Sequence, residues 1–417
     1  MFKDSLFHNE LFLKTVYKVI NMVRTYSMGI FKSFACTLMM LFAASMSVKV
    51  MATDKAIEAN LEAKVASKIL KQEREITISL PSDYDESNHN YPVMYLLDGD
   101  SHIDHTASSS RYLHSIDAAP GIIVVGIKNI DRVYDLTPYK DEKVQFETGG
   151  GDKFLDFIEK ELKPYINKHY RTVDYSIFTG HSLGGMMAVY ALINRPEAFD
   201  AYFAFSPSLW LKKDKLMALA SKSFKNKPNI NKYLYINLGN EQGGMLPAFD
   251  AFEKILTEQA PQSLRYKLER YPNESHMSIP LIGQVSAYRD LYAKWEVSRD
   301  MFELNAKEVI AFYKALSESF GYEIIPNQNG VNDIGYYHLN NKKDVESAIA
   351  LFKLNAKNYP NSANVYDSLA DAYQQQNQLE KALKMVEKAI SMSQQTDSSY
   401  QYFLKHKEKI EALISEG

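Results

Sequence analysis

The chain is nearly without cysteine: Cys36 is the single thiol in 417 residues. That excludes an intrachain disulfide framework and any zinc site built on cysteine pairs. Net charge is also scarce. Against 48 Lys/Arg stand 51 Asp/Glu, and no long basic run occurs, which argues against a nucleic-acid partner. There is no glycine-rich nucleotide loop and no His/Asp cluster with metal-ligand spacing, so neither a cofactor nor a metal is expected. His102 and His105 are near each other, but no third ligand is evident. Hydrophobic residues make up 46% and charged residues 24%, which places the chain among ordinary globular proteins rather than disordered or multi-span membrane ones. At about 150 residues per domain, the length predicts two or three domains.

The first fifty residues read as an address. Lys32 precedes an apolar core from Phe34 to about Ala44, small residues follow, and Val50-Met51-Ala52 fits a cleavage site. This is the layout of a secretory signal peptide. The apolar core is shorter than the about 20 residues of a membrane span; an uncleaved anchor is the alternative. Cys36 does not follow the core, as a lipoprotein cysteine would. Met28 would start a signal of ordinary length. Residues 1–52 are therefore expected to be a signal peptide or an N-terminal extension. Without them the chain has no cysteine and a net charge of -7, which suits a periplasmic or secreted bacterial protein.

Residues 53–297 alternate strand and helix patterns. Glu75–Leu80 alternates in strand fashion, and Pro92–Leu97 and Ile122–Ile127 are continuous apolar runs of strands buried on both faces. A helical period runs from Lys153 to His169. Strands follow at Tyr175–Thr179, Ala201–Phe205 and Tyr233–Leu238, with a helix after Ser182. The pattern predicts an α/β fold, a mostly parallel sheet covered by helices on both faces.

Residues 298–417 are expected to form an all-α region. Ala348 and Ala382 stand 34 residues apart, as do Phe352 and Val386, while Gly335 and Ala370 hold matching small positions. Asp367–Tyr373 resembles the first helix of a tetratricopeptide repeat, and Ala382–Ala389 the second. Such repeats present a groove for a protein or peptide partner. A plain helical appendage that recognises nothing is the alternative.

The chemistry sits at Gly180-His181-Ser182-Leu183-Gly184. A strand runs into this G-x-S-x-G segment and a helix runs out, the context of a nucleophile elbow. Small residues at Gly180 and Gly184 let strand and helix pass closely. The turn lifts the Ser182 hydroxyl above the sheet. The helix start offers N–H groups to a developing oxyanion.

A serine hydroxyl needs a base and an acid to orient that base, here expected in the order Ser, acid, His. After His181 only His276, His338 and His406 remain, and the last two fall in the helical region. His276, in a loop between a strand-like run (Leu264–Tyr271) and a helix from about Pro280, is the candidate base. Glu241, just after the strand Tyr233–Leu238, is the candidate acid. Asp250 is the runner-up, and Glu274 lies too close to His276 in sequence. For the oxyanion hole, Leu183 supplies one N–H. The loop Asp98-Gly99-Asp100-Ser101 supplies the other through Asp100, with Gly99 permitting close approach of a bound carbonyl. Arg132 is a candidate for binding an acidic or catecholate substrate, or a salt bridge that ties down its loop. Trp210, Tyr134 and Tyr139 are candidate pocket walls or packing residues.

Tyr95–Asp100, Asn129 to Arg132 and Leu136–Pro138, Gly180–Gly185, Ser206-Pro207-Ser208-Leu209-Trp210 and Glu274–His276 together resemble the putative-esterase family of α/β-hydrolases. That family includes enterochelin esterases, S-formylglutathione hydrolases and mycolyltransferases. The likeness covers about residues 70–297 and is nearest to exported siderophore-esterase-like serine hydrolases. It implies an α/β-hydrolase fold, a Ser182 nucleophile, a His276 base and a pocket at the strand C-termini. Some siderophore esterases rely on a serine–histidine pair with a weak or absent acid, which leaves the part of Glu241 open. The helical tail lies outside the family pattern.

The expectation is acyl transfer to water from a small-molecule ester. An acyltransferase with an alcohol in place of water is the rival. A repeat-bearing interaction protein with an inert hydrolase domain is the reading from a different class.

Overall fold

A computed structural model describes residues 60–142, 144–295 and 299–416. The expected signal peptide and extension, residues 1–52, lie outside the described residues.

In chain order the elements are β1 (Leu61–Ser67), β2 (Gln72–Ser79), β3 (Tyr91–Leu96), α1 (Gly99–Ser115), β4 (Ile123–Ile127), α2 (Arg132–Leu136) and α3 (Gly151–Phe157). Next come α4 (Lys163–His169), β5 (Thr172–His181), α5 (Leu183–Asn194), β6 (Ala201–Phe205), α6 (Lys213–Asn226), β7 (Tyr233–Leu238) and α7 (Met245–Gln259). The sheet region ends with β8 (Arg265–Arg270) and α8 (Ile279–Leu291). The helical region holds α9 (Ala306–Phe320), α10 (Gln328–Tyr337), α11 (Val345–Asn358), α12 (Ala363–Gln375), α13 (Leu379–Met392) and α14 (Tyr400–Glu416).

Among the described residues eight strands form one sheet in the order β1-β2-β4-β3-β5-β6-β7-β8. β1, β2 and β4 pair antiparallel, and every pairing from β4 through β3 to β8 is parallel. This is the α/β-hydrolase arrangement expected. Every residue of β3, β4, β6 and β7 is buried, as strands covered on both faces must be. Side chains alternate between the faces. Tyr95, Phe178 and Leu234 pack on one side with Leu162, Leu192 and Phe252. Met94, Ile177 and Tyr235 pack on the other with Ile103, Tyr288 and Leu291.

The second of these cores does not stop at the boundary expected near residue 297. Trp295, Val309, Tyr313, Val331, Ile334 and Leu351 continue it into α9, α10 and α11. The change at that point is one of architecture, not a gap in the core. A further apolar cluster, with Ala348, Phe352, Leu369, Ala370, Ala382 and Val386, holds the later helices together. The small residue at Gly335 has a steric reason: a Cβ there would lie 2.4 Å from the Phe352 ring.

Two expectations change. Asp98–Ser101 is not a loop, because α1 begins at Gly99. The helix over Lys153–His169 is α3 and α4 joined through a π-helical turn, Ile158–Leu162. β1 and α6 were not anticipated.

Candidate active site

β5 ends at His181 and α5 begins at Leu183, so Ser182 alone makes the turn. Its backbone stands at φ 59° and ψ -112°, a conformation a serine adopts only when its surroundings impose it. Those surroundings are specific. The Ser182 N–H donates to the Phe205 carbonyl at 3.0 Å, and the Ser182 carbonyl accepts from Ser208 and Met186 N–H groups at 2.9 Å. A Cβ at Gly180 would sit 2.5 Å from the Gly184 carbonyl carbon, so strand and helix cross this closely only because Gly180 lacks a side chain. The Ser182 hydroxyl is half-buried and hydrogen-bonded to Ser208 Oγ at 3.1 Å.

His276 lies in the connection after β8. Reciprocal bonds order that connection: Ser275 N–H donates to Ser278 Oγ at 2.9 Å, and Ser278 N–H to Ser275 Oγ at 3.2 Å. The segment after β7 is tied to it, because Asn240 N–H donates to the Glu274 carbonyl at 2.7 Å. This tie delivers Glu241. Nδ1 of His276 and Oε1 of Glu241 are 2.8 Å apart, with the Glu241 side chain 9% exposed. A carboxylate can only accept, so Nδ1 carries the hydrogen and a neutral His276 keeps Nε2 as an acceptor. The His276 ring lies against that of His181, with centroids 4.4 Å apart, and so beside the residue preceding Ser182. The hydroxyl's bond in this resting arrangement is to Ser208, not to His276; such bonds often form only once substrate binds.

Leu183 is the first residue of α5, and its N–H is among those a helix leaves unpaired. Asp100 is exposed near the start of α1, where Ser101 and His102 N–H groups already donate to the Asp98 carbonyl. The two helix starts adjoin: a Cβ at Gly184 would lie 3.3 Å from both Asp98 Oδ2 and Leu97 Cβ.

Arg132 forms a two-pronged pair with buried Asp98, Nε to Oδ1 at 2.6 Å and Nη2 to Oδ2 at 2.8 Å. Its guanidinium therefore ties the turn before α1 to α2. Its side chain is still 35% exposed and reaches a cleft. That cleft, about 350 Å³, runs from Ser182 and Leu183 past Met186, Tyr139, Phe146 and Trp210. An ion pair between Asp141 and Lys212, 2.8 Å, lies on its wall.

Gly99 needs correction as a substrate contact. Its bare Cα faces β4, where a Cβ would lie 2.4 Å from the Gly126 carbonyl carbon, and it does not line the cleft. Its missing side chain serves helix-on-sheet packing. Tyr134 packs over Gly150, away from the cleft. Asp250, the other acid considered, sits on α7 and pairs with Arg270 at 2.8 Å. Ser208 was not anticipated as a partner of Ser182, and no spacing rule marks it. Among the described residues no group of three or more His, Cys, Asp or Glu is arranged to hold a metal, and no helix is long and apolar enough to cross a membrane.

Residues 67–278 match the family described as putative esterase. The chain belongs to this family. A solved IroE-like serine hydrolase from Shewanella oneidensis is 31% identical, with a TM-score of 0.63 over 72% of this chain and 99% of that one. The siderophore triacetylfusarinine C esterase of Aspergillus fumigatus is 36% identical over 131 residues, 28% of this chain and 44% of that protein. The ferri-bacillibactin esterase BesA of Bacillus subtilis is 34% identical over 141 residues, 28% of this chain and 48% of that protein. The chain spans about half the length of the curated relatives it matches.

Proposed function

We propose that the chain is a serine ester hydrolase working through an acyl-enzyme. Ser182 Oγ attacks the ester carbonyl while Nε2 of His276 takes its proton. Glu241 holds the tautomer and stabilises the imidazolium. The N–H groups of Leu183 and Asp100 receive the oxyanion. His276 returns the proton to the leaving alcohol, and water, deprotonated by His276, releases the acid. The observation that carries this reading is the strained Ser182 backbone beside a histidine already bonded to a carboxylate.

The substrate proposed is a siderophore-type ester. Two of the relatives named above are siderophore esterases, and the cleft offers Trp210, Phe146 and Tyr139 for a flat ring beside the Arg132 guanidinium. We further propose export through residues 1–52 and a tetratricopeptide-like fold for residues 298–417, the latter supported by the shared apolar cluster that holds small Ala370 and Ala382 with Val386.

The test is covalent labelling with a fluorophosphonate, located by peptide mass, alongside p-nitrophenyl and siderophore esters. Labelling at Ser182 and loss of turnover in Ser182→Ala are expected. Unchanged turnover in that variant would refute the reading. Addition of an alcohol acceptor separates hydrolysis from acyl transfer by the product formed.

A further inference from the structure

His181 is the residue this mechanism leaves without a task. It closes β5, is 5% exposed, and its Nε2 is buried with no hydrogen-bond partner. What His181 touches is informative. One side of its ring meets His276, with centroids 4.4 Å apart and planes tilted by 45°. His102 of α1 also meets it, edge-on at 5.4 Å and 89°. His102 is in turn held by His105, Nδ1 to Nε2 at 3.0 Å. Ring contacts thus link α1 through His181 to the loop after β8.

The His276 side chain is 33% exposed, its neighbours Met277 and Ser278 are exposed, and its bond to Glu241 fixes one nitrogen of the ring. The His181 ring packs against it. We propose that His181 is a positioning residue for His276: its ring is the platform that sets the imidazole's tilt toward Ser182. This inference rests on the reading of Ser182 and His276 above. Burial first, then His276 and His102, pull the His181 pKa down to about 3. The platform therefore stays neutral and does not repel the imidazolium that forms during turnover.

The experiment compares His181→Ala and His181→Phe in the full chain with a p-nitrophenyl ester. A small loss of aim is costly, so His181→Ala is expected to lower kcat about 10- to 100-fold. KM should stay within about twofold, and Tm close to the parent's. His181→Phe keeps a flat ring of similar width and should recover most of the lost kcat. Undiminished kcat in the alanine variant, or a phenylalanine variant as poor as alanine, overturns the proposal. Should the phenylalanine variant not fold, His181→Asn replaces it: a loss like that of alanine supports the platform, and parental kcat overturns it. Carbethoxylation of His276 by diethyl pyrocarbonate reads the ring's packing whether or not Ser182 turns over an ester. It should quicken in His181→Ala, and an unchanged rate overturns the proposal while leaving the Ser182 reading standing.

Discussion

Glu241 and His276 are 35 positions apart in the chain, yet Oε1 of one lies 2.8 Å from Nδ1 of the other. The contact exists because β7 and β8 are neighbours in the sheet and their following segments are tied by the Asn240–Glu274 bond. Replacing Glu241 by Gln keeps an acceptor oxygen but removes the charge. A hydrogen bond to a charged group contributes about 1.5–3 kcal/mol, so kcat should fall about 10- to 100-fold. Steady-state kinetics check this. A kcat equal to the parent's would mean that the serine–histidine pair works without an acid.

Arg132 has two possible roles that one variant separates. The Asp98 side chain is 4% exposed, and Arg132→Gln would leave it charged without its cation, with the Asn129 amide still donating to Oδ1 at 2.8 Å. Breaking a buried pair costs about 3–5 kcal/mol; with Arg132 itself a third exposed, about 2 kcal/mol is expected. Tm should drop and turnover of all esters should fall together. A raised KM for anionic esters alone, at unchanged Tm, would instead mark Arg132 as a substrate contact only.

Gly180→Ala tests the elbow. The added methyl would meet backbone at 2.5 Å, which cannot swing aside like a side chain. Overpacking of this kind costs about 1–3 kcal/mol or more. Thermal denaturation should show the loss, and fluorophosphonate labelling of Ser182 should fail with it.

Asp117 makes stability depend on pH. It is buried where the sheet region meets α9, with Trp295 and Tyr313 as its polar neighbours and no cation paired to it at close range. Burial raises its pKa from 3.8 to about 7. The folded state therefore holds a proton that the unfolded chain releases, and stability falls as pH rises from about 4 through about 7. His114, whose pKa its Asp83 partner holds up against burial, works in the same direction. Asp117→Asn should flatten the curve and raise Tm at pH near 8. Calorimetry across the pH range checks it, and an unaltered slope would refute the assignment.

Much of the fold was legible where burial imposes a simple pattern. β6 and β7 have the bounds their apolar runs predict, because strands covered on both faces leave no room for polar residues. α1 was hidden because most of its buried face is polar or small: Gly99, Thr106, Ala107, Ser110 and His114 lie inward with Ile103 and Leu113. Without an apolar period, the segment reads as loop. Gly99 was misread for a related reason. A glycine announces close approach but not of what, and here the neighbour is Gly126.

The order of residues alone marked the strand-to-helix turn at Ser182, because the glycine pattern around it is local. The strained conformation itself is held by the Phe205 carbonyl and the Ser208 N–H, which the neighbouring strand brings there. Which groups stand around that hydroxyl was decided only by the tertiary structure. Ser208, Glu241 and the ring of His181 come to their places through sheet order and through loops that lean on one another. Contacts between distant segments follow from how whole layers pack, and no short stretch of sequence carries that information.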